Sequence, residues 1–157
     1  MHSASPIRFS GVSAVTATRG PNDPQLGDEV VEGSTKYVYV YNGEATTIPI
    51  GVGCVLVSGA TGYTVTISSV TGDRLIGVAK NVAIPTANYG WVAYKGFTTV
   101  QMMTASGTAA AVSTPLQVAA NGLFAPCSNV TGNIGGMVGW SLAVIASTTS
   151  GPAFINV

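Results

Sequence analysis

The sequence predicts an all-β fold, and three observations predict it: short apolar runs with period-two alternation, Gly-, Asn- and Ser-marked turns between them, and no sustained apolar repeat at helical spacing. The architecture expected is a small β-barrel or β-sandwich built from two related hairpin units, with an extended N-terminal arm. The 157 residues suffice for one compact domain with its own core. Val and Thr suit pleated surfaces, and the 20 glycines supply turns.

Residues 1–24 are read as the arm. They are rich in Ser, Thr, Ala and Pro and end in the breaker run Gly20-Pro21-Asn22-Asp23-Pro24. Ile7, Phe9, Val12 and Val15 are too scattered to build a core, yet too frequent for an idle linker. Ile7 and Phe9 are therefore candidates for contact with a neighbouring subunit. No apolar stretch of the kind a secretory signal needs lies between Met1 and Gly20.

Residues 25–157 are read as the β domain. Strands are expected near Glu29–Val31, Lys36–Tyr41, Gly53–Val57, Thr64–Ser68, Ile76–Val82, Gly90–Tyr94 and Thr98–Met102. Further strands are expected near Leu116–Ala119, Leu123–Pro126, Met137–Ile145 and Ala153–Val157. An internal repeat, spanning approximately 54–96 and 114–157, underlies the two-unit reading. Sliding the chain by 60 residues pairs Leu56 with Leu116, Gly62 with Gly122, Ser68 with Ser128 and Val70-Thr71-Gly72 with Val130-Thr131-Gly132. Two further residues of shift set Ile76-Gly77-Val78 over Val138-Gly139-Trp140. A unit of this size cannot bury its apolar face alone, but paired with its copy it can. On this alignment Cys54 and Cys127 do not fall at matched positions, and free thiols are expected.

Lys36-Tyr37-Val38-Tyr39-Val40-Tyr41-Asn42 is the sharpest local pattern. Alternation puts Tyr37, Tyr39 and Tyr41 on one face and Val38 and Val40 on the other. A tyrosine row can stack on sugar rings, pack against a neighbouring protein, or be half-buried core. Tyr37, Tyr39 and Tyr41 thus join Ile7 and Phe9 as interface candidates. Trp91 and Trp140 are expected in the core.

Charge narrows the function. Six Lys+Arg and six Asp+Glu make 8% of the chain, against roughly 25% in ordinary soluble domains. All six acids precede Arg74, and the 62 residues beyond Lys95 carry no charge. With no basic stripe, nucleic acid is not an expected partner. Polar residues interrupt every apolar run before the length a membrane helix requires, so no membrane partner is expected. A surface this neutral favours association.

The catalytic inventory points to no enzyme. His2 is the single histidine and lies in the arm, so Ser-His, Cys-His and His-based metal sites lack a base or ligand. Asp28, Glu29 and Glu32 match no calcium loop and read as solvated edge charge. No phosphate-binding glycine motif is present, and no cofactor or metal is expected.

Gly27-Asp28-Glu29-Val30-Val31, Gly72-Asp73-Arg74-Leu75-Ile76-Gly77-Val78-Ala79, Gly90-Trp91-Val92-Ala93-Tyr94-Lys95-Gly96 and Gly151-Pro152-Ala153-Phe154-Ile155-Asn156-Val157 carry a likeness over roughly residues 26–157. Through them the chain resembles the capsid decoration (cement) proteins of tailed bacteriophages. The resemblance implies a non-enzymatic virion protein, made in the host cytoplasm, that binds the outside of the capsid and stabilises it. It implies the major capsid protein as partner, and self-association as a homo-oligomer, commonly a trimer. The long arm departs from that pattern. Two other readings remain: a carbohydrate- or receptor-binding β module using the tyrosine row, and another virion component such as a tail, spike or fibre protein.

Overall fold

The computed structural model describes residues 24–60, 62–69, 74–103, 109–127, 137–146 and 149–157. The arm up to residue 23, with Ile7 and Phe9, lies outside them, as do 70–73 and 128–136 of the sequence repeat.

The fold is all-β. The strands are β1 (Glu29–Glu32), β2 (Thr35–Asn42), β3 (Gly53–Leu56), β4 (Thr64–Ile67) and β5 (Gly77–Ala79). They continue with β6 (Tyr89–Gln101), β7 (Pro115–Val118), β8 (Phe124–Pro126), β9 (Met137–Ser141) and β10 (Ser150–Asn156). One turn of 3-10 helix, Ala120–Gly122, caps the β7–β8 hairpin. Among the described residues these ten strands form one mixed sheet in the order β1-β2-β4-β3-β5-β6-β10-β9-β7-β8. An additional β2–β6 pairing makes the sheet curl partly into a ring, so that β2, β4, β3, β5 and β6 follow one another around a core.

The order contains its own repeat. β4-β3-β5-β6 is mirrored by β8-β7-β9-β10, and the pairing registers make the match residue by residue. Cys54 faces Gly77 as Leu116 faces Gly139, and Val78 faces Ala93 as Trp140 faces Phe154. The isolated bridge Ile48–Ile84 has its counterpart in Ala110–Ile145. Backbone bonds outside the strands repeat too: Gly51 N–H donates to Ala79 (2.7 Å) as Ser113 N–H donates to Ser141 (2.9 Å). Asn42 N–H donates to Asn88 (2.8 Å) as Met102 N–H donates to Thr149 (3.0 Å).

The first unit therefore begins at β2 and ends in the first half of β6; the second begins in the second half of β6 and ends with β10. β6 belongs to both. It pairs with β2 over Tyr89–Lys95 and with β10 over Lys95–Gln101. Gly90–Tyr94 and Thr98–Met102, expected as two strands, are one strand running through Gly96. A glycine is required there because its φ is +109° and a Cβ would lie 2.5 Å from the Ser34 carbonyl oxygen and 2.7 Å from Thr35 Cα.

The ladders also correct the alignment. Cys54, not Leu56, corresponds to Leu116, because eight residues separate the ladder pair Leu56–Val65 and only five separate Val118–Phe124. No ungapped slide can hold both strands of hairpins with unequal loops. Gly62 and Gly122 both have positive φ (+79° and +65°), in loops of different length. Cys54 and Cys127 are free thiols, Cys54 buried beside Ile67 and Cys127 half-buried.

Each unit has a core. Val38, Val40, Ile48, Val52, Cys54, Val65, Ala79, Ile84 and Val92 fill the first. Val100, Met102, Ala110, Leu116, Val118, Phe124, Val138, Ile145, Ala153 and Ile155 fill the second. Where the second has the smaller Ala110 for Ile48, it has the larger Phe124 for Val65, an exchange that conserves volume across the repeat.

Candidate interaction surface

β2 lies between the two cores, which decides the fate of the tyrosine row. Val38 and Val40 face the first core. Tyr37, on the opposite face, is sealed into the cluster that holds the second core, together with Leu75, Val78 and Ala93. Its hydroxyl donates to Glu32 (3.4 Å), and the Lys80 ammonium stands 5.4 Å from its ring centre. Tyr39 is buried as well, stacked on Tyr89 at 5.8 Å and 9° and tilted against Trp91 at 4.9 Å. Tyr41 is half-buried and packs on Tyr89 at 5.2 Å. Alternation therefore separates the tyrosines from the valines as expected, but both faces of the strand are inside. Burial removes Tyr37 and Tyr39 from the accessible surface of the chain; of the row, Tyr41 keeps a share of it. Tyr89 and Trp91 complete this aromatic group.

Those three tyrosines correspond through the repeat to Phe97, Thr99 and Gln101 on the second half of β6. There the same ladder position is open. Phe97 lies opposite Phe154, Phe154 opposite Trp140, and Trp140 opposite Pro115, forming a row across β6, β10, β9 and β7. Phe97 and Phe154 meet edge to face at 5.6 Å. Phe97 is 50% exposed and Trp140 36%, whereas their counterparts Tyr37 and Val78 are 1% and 0% exposed. Trp140, expected in the core, is at the surface. Thr99, Gln101, Ser150, Pro152 and exposed Leu142 adjoin the row, and none is charged. This face was not singled out in the sequence, although the alternation of Phe97-Thr98-Thr99-Val100 and Ala153-Phe154-Ile155 places both phenylalanines on one side.

The few ionisable groups serve local structure. Glu44 accepts from the Ile67 N–H (3.0 Å) and the Thr66 hydroxyl, tying the loop after β2 to β4. Tyr94 donates to Glu29 (2.9 Å), and its pKa is raised by desolvation and by this carboxylate. Burial pushes the Cys54 thiol up to about 12, so it is a neutral packing group rather than a nucleophile. Among the described residues, no three His, Cys, Asp or Glu side chains come together as a metal site, and no helix is long and apolar enough to cross a membrane.

No protein-family model matches the sequence, and no curated protein does. Among solved structures the chain is similar to the N base of head fiber gp8.5 of bacteriophage phi29, with a TM-score of 0.57 and 10% identity. The match covers 76% of this chain and 92% of that one. At that identity the two share a fold, an all-β body in which this chain carries two copies of one strand arrangement.

Proposed function

We propose that this chain is a non-enzymatic structural protein of a bacteriophage virion, seated on the outside of the head, where it binds the major capsid protein and reinforces the shell. The observation that carries the reading is the uncharged aromatic face of the second unit, displayed on a fold shared with a head-fibre base. A neutral, polar-apolar surface can cover joints between capsid subunits with little dependence on salt. Many equivalent copies on one shell would add avidity. A fibre base is the second reading, favoured by the 92% of the phi29 chain that aligns. Both put the protein on the head.

The arm is proposed to reach a neighbouring subunit or the capsid through Ile7 and Phe9, each worth roughly 2 kcal/mol if fully buried. The test is cryo-electron microscopy of heads to which the purified protein has been added. Regular density on the outer shell is expected, with lower occupancy for a chain lacking residues 1–20. Density confined to the tail, or none, overturns the reading; unchanged occupancy without the arm makes the arm a passive tail.

A further inference from the structure

We infer that the surface that docks on the shell has a cationic edge: the Phe97–Phe154–Trp140 face, together with Lys36 and Lys95, takes a patch of the major capsid protein that is apolar and carries a carboxylate at one side. The inference rests on the virion reading and names the chemistry of the partner surface.

The register puts the two features side by side. On β6, Lys95, Phe97 and Thr99 are exposed while Gly96, Thr98 and Val100 are buried, so the three share one side of the strand. Lys95 has Asn156 opposite it on β10 and Lys36 opposite it on β2, and both are exposed. A row Lys36–Lys95–Asn156 therefore runs beside the row Phe97–Phe154–Trp140. Away from the lysines the face turns aliphatic. Leu142 and Val144 follow Trp140 at every second position, 41% and 68% exposed, and Leu142 N–H donates to Pro152 (2.9 Å). The face is thus cationic at one edge, aromatic in the middle and aliphatic at the other.

The lysine pair is a liability to the free chain. Residues directly opposite in a ladder hold their Cβ atoms about 5 Å apart, where like charges repel. The carboxylates of β1 are engaged elsewhere: Glu29 accepts from the Tyr94 hydroxyl (2.9 Å) and Glu32 from the Tyr37 hydroxyl (3.4 Å). Among the described residues no carboxylate forms an ion pair with Lys36 or Lys95. A partner carboxylate seated between the two ammonium groups removes the repulsion and replaces it with two attractions. Trp140 and Phe97 supply the apolar anchors beside it. The lysines fix the orientation of the contact, because only one edge of the face can meet the acid.

Co-sedimentation of the purified chain with isolated heads that lack it tests this, alongside urea unfolding midpoints. Phe97→Asp and Val144→Asp are each expected to weaken binding at least about tenfold; if Phe97→Asp does not fold, the more exposed Val144 decides. Lys36→Gln combined with Lys95→Gln is expected to weaken binding about three- to tenfold, the range for two exposed ion pairs, while its unfolding midpoint stays equal or rises. Wild-type binding should fall as salt rises, and that of the double variant should not. Arg74→Gln, which removes one charge from the loop before β5, is expected to bind as the wild type does. Undiminished binding by the lysine double variant or by Val144→Asp, an equal loss in Arg74→Gln, or a lowered midpoint that accounts for the loss overturns the inference and leaves the virion reading standing. If Phe97→Asp lowers the mass of the free chain in light scattering, the face takes a second copy instead, and the inference falls. A wild type that does not sediment with heads overturns the virion reading itself, and this inference with it.

Discussion

Gly90 and Gly151 occupy the same place in the two units, each roofed by an isoleucine. A Cβ on Gly90 would lie 2.7 Å from Ile84 Cγ1, and one on Gly151 2.5 Å from Ile145 Cγ1. Both isoleucines hold the isolated bridges that lead into the last strand of each unit. The contact is a packing requirement of the repeated unit, since Cγ2 and Cδ1 of both side chains are close as well.

Gly90→Ala and Gly151→Ala are accordingly expected to destabilise the fold by about 1–3 kcal/mol each, the usual range for overpacking a filled site. Pairing Gly90→Ala with Ile84→Val should recover part of the loss by removing the Cδ1 methyl, 2.9 Å from the new Cβ, from the crowded side. Urea unfolding midpoints measure this. If the double variant is no better than the single one, the glycine is needed for another reason.

Strand positions were legible where burial imposes alternation, as on Ser150–Asn156 and the second half of β6. The register of the repeat was not, because loop length follows local turn chemistry: Val57–Tyr63 and Ala119–Leu123 close the same hairpin differently. Gly96 reads as a breaker because a sequence does not reveal that Ser34 approaches it within a continuous strand. The tyrosine row misleads for a related reason. Which face of β2 meets water depends on where the second unit packs, and the apolar cluster that Tyr37 shares with residues such as Ile155 joins positions distant in sequence. Conversely, Trp140 looks like a core residue and lies at the surface in one row with Phe97, although their counterparts Val78 and Tyr37 are buried, because which face of a repeated strand is covered depends on contacts distant in sequence.

Tyr39 tests the position of the row. With its ring between Tyr89 and Trp91, Tyr39→Ala should cost about 3–5 kcal/mol, as for a buried aromatic. Half-buried Tyr41→Ala should cost less. On a glycan array Tyr39→Ala should change nothing that the variant's own loss of stability does not explain; specific sugar binding by the wild type, lost in a folded Tyr41→Ala chain, would favour a carbohydrate-binding module.

The two thiols should separate cleanly. Cys54 is 0% exposed and Cys127 half-buried, so a thiol reagent should titrate one group in the native protein and two in urea. Cys54 also gives a signature at high pH. Its folded pKa, about 12, lies above the ordinary thiol value of 9.0, so the unfolded chain loses this proton first. Stability contributed by the neutral thiol is complete below pH 9.0 and is lost as pH rises toward about 12, at up to ~1.4 kcal/mol per pH unit. Cys54→Ala should lower stability at neutral pH through lost packing but flatten the decline above pH 9.0. An equal slope in both proteins would sink the assignment.

Asn42 and Met102 stand at equivalent ends of β2 and the second half of β6, and the difference between them yields the strongest single-site contrast. Asn42 is fully buried; its amide donates to Ile84 (2.8 Å) and Thr46 (2.9 Å), and its side-chain oxygen accepts from Glu44 N–H (2.8 Å). Asn42→Met borrows the residue of the second unit, removes all three bonds and adds volume to a filled site, which together should cost at least about 1–3 kcal/mol. Asn42→Asp is nearly isosteric but turns a carboxylate oxygen toward two carbonyl oxygens in a buried site, and should cost more than Met at neutral pH. The sign of its pH dependence follows from the same contacts. Burial and the two carbonyls favour the protonated acid, so the folded pKa of Asp at this position lies above the unfolded value of about 3.9. Relative to wild type, the deficit should be smallest below that unfolded value, grow as pH rises toward the folded pKa, and be complete above it. Urea midpoints of the three proteins across this range decide the matter: if Asp is tolerated better than Met at neutral pH, the amide is not the donor that holds Thr46 and Ile84, and the loop after β2 is secured by Glu44 instead.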